Sequence, residues 1–125
     1  MLANTRVSAV LVAVDLERVR NFYEEKLGLQ AAEMADGLVV ECGQGTELFL
    51  YQRDTPSQAE HTVAAFTVNN IEEMVQSLRD RGVEFEQYDL PGLKTDEQGI
   101  ATIAKVKGAW FKDTEGNILS IVQLR

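Results

Sequence analysis

The sequence contains one pattern twice: an apolar stretch, a residue able to cap a helix, and an amphipathic helix. The first copy is Val7–Leu29, in which Asp15 is the expected N-cap. The second copy is Val63–Val83, in which Asn70 takes the same place. Two copies are too few for a solenoid. The repeat therefore predicts a domain built from two similar modules.

Each copy predicts one helix with an apolar stripe at helical spacing. The stripes are expected to contain Leu16, Val19, Phe22, Tyr23 and Leu27 in the first helix and Ile71, Met74, Val75 and Leu78 in the second. Gly28 and Gly82 are expected as left-handed C-caps. The β-branched and small apolar residues of Val7–Val14 predict a strand that is covered on both faces.

Three strands are predicted after each helix. In the first module they are Leu29–Met34, Leu38–Cys42 and Glu47–Gln52, with turns at Asp36-Gly37 and Gly43–Gly45. In the second module they are Val83–Tyr88, a strand from Ile100 to Lys112 broken near Lys107-Gly108, and Ile118–Leu124 after a turn at Asp113–Asn117. The polar segment Asp89–Gly99 has no counterpart in the first module and is a candidate flexible lid.

These elements predict an α+β fold of two βαβββ modules. We expect a single domain over residues 1–125, divided into a first module at 1–55 and a second at 60–125. A ferredoxin-like sandwich is disfavoured by the three strands after each helix. Alternation in the strand Glu47–Gln52 predicts that Glu47, Phe49 and Tyr51 share one face.

Composition and charge limit the classes of partner. The apolar fraction of 45% and the charged fraction of 26% are ordinary for a globular protein. The net charge of −8 argues against nucleic acid and anionic membrane as partners. One cysteine, Cys42, excludes an internal disulfide, and neither a signal peptide nor a membrane-spanning apolar run is recognised. We therefore expect a cytoplasmic protein.

Three segments together resemble the vicinal oxygen chelate superfamily, which holds glyoxalase I, bleomycin-resistance proteins, fosfomycin-resistance enzymes and extradiol dioxygenases. They are DLERVRNFYEEKLGL at Asp15–Leu29, VNNIEEMVQSLRDRGVEF at Val68–Phe85 and WFKDTEGNILSI at Trp110–Ile121. The resemblance implies a glyoxalase/bleomycin-resistance-like fold in which the sheets form a cup-shaped mixed sheet. It also implies a homodimer.

The resemblance further implies four metal-ligand positions, and in this sequence they fall on Ser8, Phe49, Val63 and Ser120. Neutral serine hydroxyls are poor ligands, and phenylalanine and valine offer no lone pair. We therefore expect no catalytic metal and no other cofactor. Whether the protein is an enzyme stays open, with the residues favouring a binding protein.

The remaining prediction is a small organic ligand, largely apolar or aromatic, bound in the cup. The expected contact residues are Ser8, Phe49, Tyr51, His61, Trp110 and Ser120. A lone histidine near a linker is more often solvated than functional, and Tyr51 and Trp110 are about as well explained as core filling. Cys42 needs no function as a small buried side chain. The alternative function is a metal-dependent lyase or dioxygenase of the same superfamily.

Overall fold

The computed structural model describes all 125 residues. It contains ten strands and two α-helices. They are β1 (Ala9–Ala13), α1 (Leu16–Asn21), β2 (Gln30–Met34), β3 (Gly37–Glu41), β4 (Glu47–Gln52), β5 (Thr62–Thr67), α2 (Ile71–Asp80), β6 (Asp89–Leu90), β7 (Leu93–Lys94), β8 (Ile100–Ile103), β9 (Val106–Lys112) and β10 (Ile118–Gln123). A π-helical turn, Phe22–Lys26, continues α1.

Eight strands form two four-stranded sheets with the same internal order, and β6 and β7 form a separate two-stranded sheet. The first sheet runs β1-β4-β3-β2 and the second runs β5-β10-β9-β8. In each sheet the first strand pairs in parallel with the last, and the other pairs are antiparallel. This confirms the predicted α+β fold with two mixed sheets. The boundaries at residues 55 and 60 stay a prediction.

The helices and one face of each sheet enclose a shared hydrophobic core. Its largest fully buried side chains include Leu11 of β1, Tyr23 and Phe111. Alternation along β4 places Leu48 and Leu50 in this core. The opposite face of each sheet carries no helix, and we call it the open face.

Both helices begin as predicted. The Asp15 side chain accepts a hydrogen bond from the Arg18 N–H at 3.0 Å, and Asn70 accepts one from the Glu73 N–H at 3.1 Å. Each cap satisfies a backbone donor that has no partner inside the helix. Gly28 adopts the left-handed conformation with a φ of 71°. No helix in the structure has the length and apolar character needed to cross a membrane.

Four local predictions are wrong. Strand β1 is covered on one face only, because Val10 is 60% exposed on the side without helices. Met74 is 38% exposed, since the core is filled by its neighbours in α2. The stretch Val83–Tyr88 forms one isolated bridge, at Phe85, rather than a strand. The chain reverses at Ala104, which has a φ of 56°, so β9 is continuous through Lys107-Gly108.

Candidate functional site

The open face of the first sheet exposes large apolar side chains. Val10 pairs with Phe49 across β1 and β4, and Tyr51 is the next residue of β4 on the same face. Val10 is 60% exposed, Met34 48% and Tyr51 39%, while Phe49 is half-buried. Ser8 lies one residue before β1 and continues the alternation that brings Val10 to this face. Ser8, Phe49 and Tyr51 are therefore on a common surface.

The open face of the second sheet carries two more of the predicted contact residues, Trp110 and Ser120. Trp110 of β9 is directly opposite Ser120 of β10, which in turn pairs with Ala65 of β5. Trp110 is half-buried, and its ring meets the Tyr88 ring edge-on. Ser120 is only 3% exposed, so little of its hydroxyl is accessible to a ligand.

His61 is exposed and immediately precedes β5, so it lies at the end of the second sheet. Val63 follows at a register irregularity between β5 and β10. No side-chain hydrogen bond joins any two of the six predicted contact residues. No group of three or more histidine, cysteine, aspartate or glutamate side chains is arranged to hold a metal ion.

Two grooves lie at the ends of the strands. One, of about 470 Å³, lies between the turn Cys42–Thr46 and the end of β5, and Ala65, Thr67 and Asn69 line its other side. The second, of about 220 Å³, is lined by Val12, Arg53 and the linker residues Thr55–Gln58. A larger cavity, of about 680 Å³, lies between α1 and the β2–β3 hairpin and contains none of the six predicted residues. Burial raises the pKa of the Cys42 thiol, which disfavours the reactive thiolate.

A buried polar cluster, which we call the latch, joins the turn Asp113–Asn117 to the β1–α1 junction. Glu115 is 0% exposed, and its Oε1 accepts hydrogen bonds from the backbone N–H groups of Val14 and Asp15, both at 2.9 Å. Arg18 donates to both carboxylate oxygens of Glu115 at 2.8 and 3.0 Å. Sequence reasoning recognised the turn but missed this cluster.

Asp113 and Asn117 complete the latch. The Tyr23 hydroxyl and the Asn117 amide each donate to Asp113 Oδ2 at 2.8 Å. The Asn117 amide also donates to the carbonyl of Val12 at 2.8 Å. The cluster therefore holds the second sheet against both β1 and the helical segment of the first module.

Burial and hydrogen bonding change the acidities of the latch in opposite directions. Burial alone would raise the pKa of the Glu115 carboxyl, but the hydrogen bonds from Arg18, Asp15 and Thr114 outweigh it and lower that pKa to about 2. Burial raises the pKa of the Asp113 carboxyl despite its hydrogen bonds from Asn117 and Tyr23. Burial, followed by the charge of Asp113, raises the pKa of the Tyr23 hydroxyl well above its ordinary value. At neutral pH Glu115 is ionised and Tyr23 is a hydrogen-bond donor.

Comparison with known proteins identifies the family. The family model of the Glyoxalase/Bleomycin resistance protein/Dioxygenase superfamily matches residues 6–121. The chain therefore belongs to this superfamily. No curated protein sequence matches it.

Solved structures agree on the fold. An integron cassette protein from the mobile metagenome of the Halifax Harbour sewage outfall has a TM-score of 0.71 at 21% identity, and the alignment covers 97% of this chain and 99% of that one. A virulence protein from Salmonella typhimurium has a TM-score of 0.67 at 22% identity, with 100% of both chains covered. A glyoxalase/bleomycin resistance protein/dioxygenase from Alicyclobacillus acidocaldarius has a TM-score of 0.69 at 19% identity, and the alignment covers 96% of this chain and 91% of that one.

Proposed function

We propose that this protein binds a small, largely apolar or aromatic molecule against the open face without a catalytic metal. The observation that carries the proposal is the exposed apolar surface formed by Val10, Met34 and Tyr51 around Phe49. A clustered apolar surface on a water-exposed sheet is typical of a binding site. The predicted contacts Ser8, Phe49, Tyr51, Trp110 and Ser120 occupy open-face positions, although Ser120 is only 3% exposed, and His61 lies at the end of the second sheet.

The side chains at the superfamily's metal positions support the part of the proposal that concerns metal. Phe49 and Val63 have no lone pair, and the Ser8 and Ser120 hydroxyls are weak neutral ligands. These donors do not fit a divalent ion. The alternative function, a metal-dependent lyase or dioxygenase, requires such an ion in the cup. Elemental analysis of protein purified without chelator separates the two functions, because stoichiometric zinc, nickel, iron or manganese would overturn the proposal.

Ligand binding is tested by a thermal-shift screen of hydrophobic metabolites and antibiotics. A ligand present at 100 times its dissociation constant adds about 2.7 kcal/mol to the free energy of unfolding. We expect Tyr51→Ala and Trp110→Ala to reduce the shift produced by a hit. Met74→Ala tests a different apolar pocket, which Met74 lines on the helix side with Leu78 and Phe111. A hit that stabilises all three variants as much as the wild type would place the ligand elsewhere.

Two further parts of the proposal concern assembly and location. We propose a homodimer, because superfamily members commonly pair. Light scattering that gave a monomer mass at micromolar concentration would contradict it. The cytoplasmic location also remains a proposal, supported by the single cysteine, Cys42.

A further inference from the structure

We propose that Trp110 is a stacking surface for a planar aromatic ring of the ligand, and that Gly108 and Tyr88 are the residues that position it. The inference rests on the proposed ligand site and narrows its ligand from any apolar molecule to a planar aromatic one. Its basis is the packing of the Trp110 indole on the second sheet.

Gly108 sets how closely the indole approaches the backbone of the sheet. It lies two residues before Trp110 in β9 and therefore on the same face of the strand. A Cβ atom at Gly108 would be 3.2 Å from Cη2 and 3.3 Å from Cζ2 of Trp110. The six-membered ring of the indole therefore lies directly over Gly108. Only glycine allows this close approach without displacing the ring.

Tyr88 also packs against the indole. Its ring centroid is 5.6 Å from that of Trp110, and the two planes are inclined by 77°, which is a favourable edge-to-face geometry. Tyr88 is itself held in place, because its N–H donates to the Thr95 hydroxyl at 2.9 Å and its carbonyl accepts from the Thr95 N–H at 2.9 Å. The Glu86 N–H donates to the Trp110 carbonyl at 2.7 Å, which ties the same segment to β9.

The result is an indole with one face against Gly108, an edge-to-face contact with Tyr88 and part of its surface exposed. Trp110 is half-buried, which agrees with this arrangement. A planar aromatic ring gains offset stacking on such a surface beyond the area that it buries, whereas a saturated ring of the same size gains only the area. The surface therefore favours a planar aromatic group over its saturated analogue.

The protein contains one tryptophan, so the indole N–H gives a single NMR signal that reports on the site. The probes are 2-naphthol and its saturated analogue decahydro-2-naphthol. We expect the wild type to bind 2-naphthol about fivefold more tightly than decahydro-2-naphthol. 2-Naphthol should also move the indole N–H signal by its ring current, whereas the saturated probe should not.

Three variants test the positioning residues. We expect Gly108→Ala, which shifts the indole by a few tenths of an ångström, and Tyr88→Leu, which removes the edge-to-face contact, to weaken the preference for 2-naphthol. Tyr88→Phe keeps the ring and should keep the preference. Unchanged backbone NMR signals away from β9 establish that each variant is folded. Because the readout is the ratio of two affinities, general destabilisation alone does not change it.

Each outcome has one meaning. If the wild type binds both probes equally and the indole signal does not move, the stacking inference is wrong and the proposed apolar site survives. If it binds neither probe, the proposed function and the inference both fail. If Gly108→Ala and Tyr88→Leu retain the full preference for 2-naphthol, Trp110 needs no positioning by these residues.

Discussion

The two turns that connect the last two strands of each module share one backbone hydrogen bond but differ in their surroundings. Turn Asp113–Asn117 joins β9 to β10, and turn Cys42–Thr46 joins β3 to β4. Each is closed by a hydrogen bond from the N–H of its first residue to the carbonyl of its fifth, at 3.0 Å and 2.9 Å respectively. The first of them is buried in the latch, whereas the glycine-rich centre of the second contains no buried residue and borders an open groove.

Charge and backbone conformation explain the difference. Gln44 stands where the other turn has Glu115, and Gln44 has a left-handed φ of 58°. Glu73 stands where the other helix has Arg18, so the cation that would complete a second latch is replaced by an anion. The backbone N–H groups of Asn69 and Asn70, which correspond to those bound by Glu115, donate to no acceptor within the chain. A repeated fold therefore does not repeat its contacts.

The largest expected effect is the loss of the latch in Glu115→Gln. This change removes the charge that binds Arg18 and turns amide hydrogens toward groups that are themselves donors. We expect the free energy of unfolding to fall by about 2–4 kcal/mol, measured by urea denaturation. The control is Gln44→Asn in the other turn, since asparagine tolerates a left-handed conformation. It should change stability by less than about 0.5 kcal/mol. Equal losses from both substitutions would contradict the distinction between the turns.

The second effect is a pH dependence that only the latched turn should produce. The pKa of Glu115 is about 2 in the folded protein against an ordinary value of 4.5. As pH falls from 4.5 toward 2, the unfolded chain takes up a proton that the folded chain does not, so stability is lost across this window. The difference in unfolding free energy between wild type and Glu115→Gln should be constant above about pH 5 and shrink below it. A difference that stays constant down to pH 2.5 would show that the carboxylate is not specifically stabilised.

Local patterns in the sequence predicted the elements that depend on near neighbours. The caps at Asp15 and Asn70 and the alternation that turns Phe49 and Tyr51 away from the core follow from spacings of a few residues. The latch could not be predicted this way, because Glu115 meets its partners 97 to 101 residues away along the chain. An acidic residue in a glycine-containing turn is ordinarily solvated, and nothing nearby in sequence indicates otherwise.

Contacts with residues that are distant in the sequence also explain the wrong predictions at Val10 and Gly108. A β-branched residue has the same strand propensity on either face, so the sequence alone did not reveal that Val10 is exposed. The glycine at Gly108 predicts a break in β9, but the strand is continuous there and the Trp110 indole packs closely over the glycine. Both facts depend on what packs against the strand. The open face was therefore predictable as a surface, and its detailed shape was not.

The third expected effect compares Tyr23, whose hydroxyl belongs to the latch, with Tyr51, whose hydroxyl lies outside it. Tyr23→Phe removes one hydrogen bond to the buried Asp113 carboxylate and keeps the ring in the core. We expect a loss of about 1–2 kcal/mol in the free energy of unfolding, because a buried charged acceptor loses a donor. Tyr51→Phe is the matched control, since its hydroxyl is exposed and contacts only Arg53. Thermal denaturation should leave that variant within about 0.5 kcal/mol of the wild type.

The smallest effect is a second latch built by design. Gln44→Glu supplies the missing carboxylate, and Glu73→Arg supplies the missing cation at the position that corresponds to Arg18. Each single change should alter stability little, because Gln44 and Glu73 are both exposed. Together they should show a favourable coupling of about 0.5 kcal/mol in a double-mutant cycle at low salt, typical of an exposed ion pair. The coupling should weaken as salt is added. A coupling of zero would mean that the left-handed backbone at Gln44 directs its side chain away from α2, so that conformation rather than charge keeps this turn open.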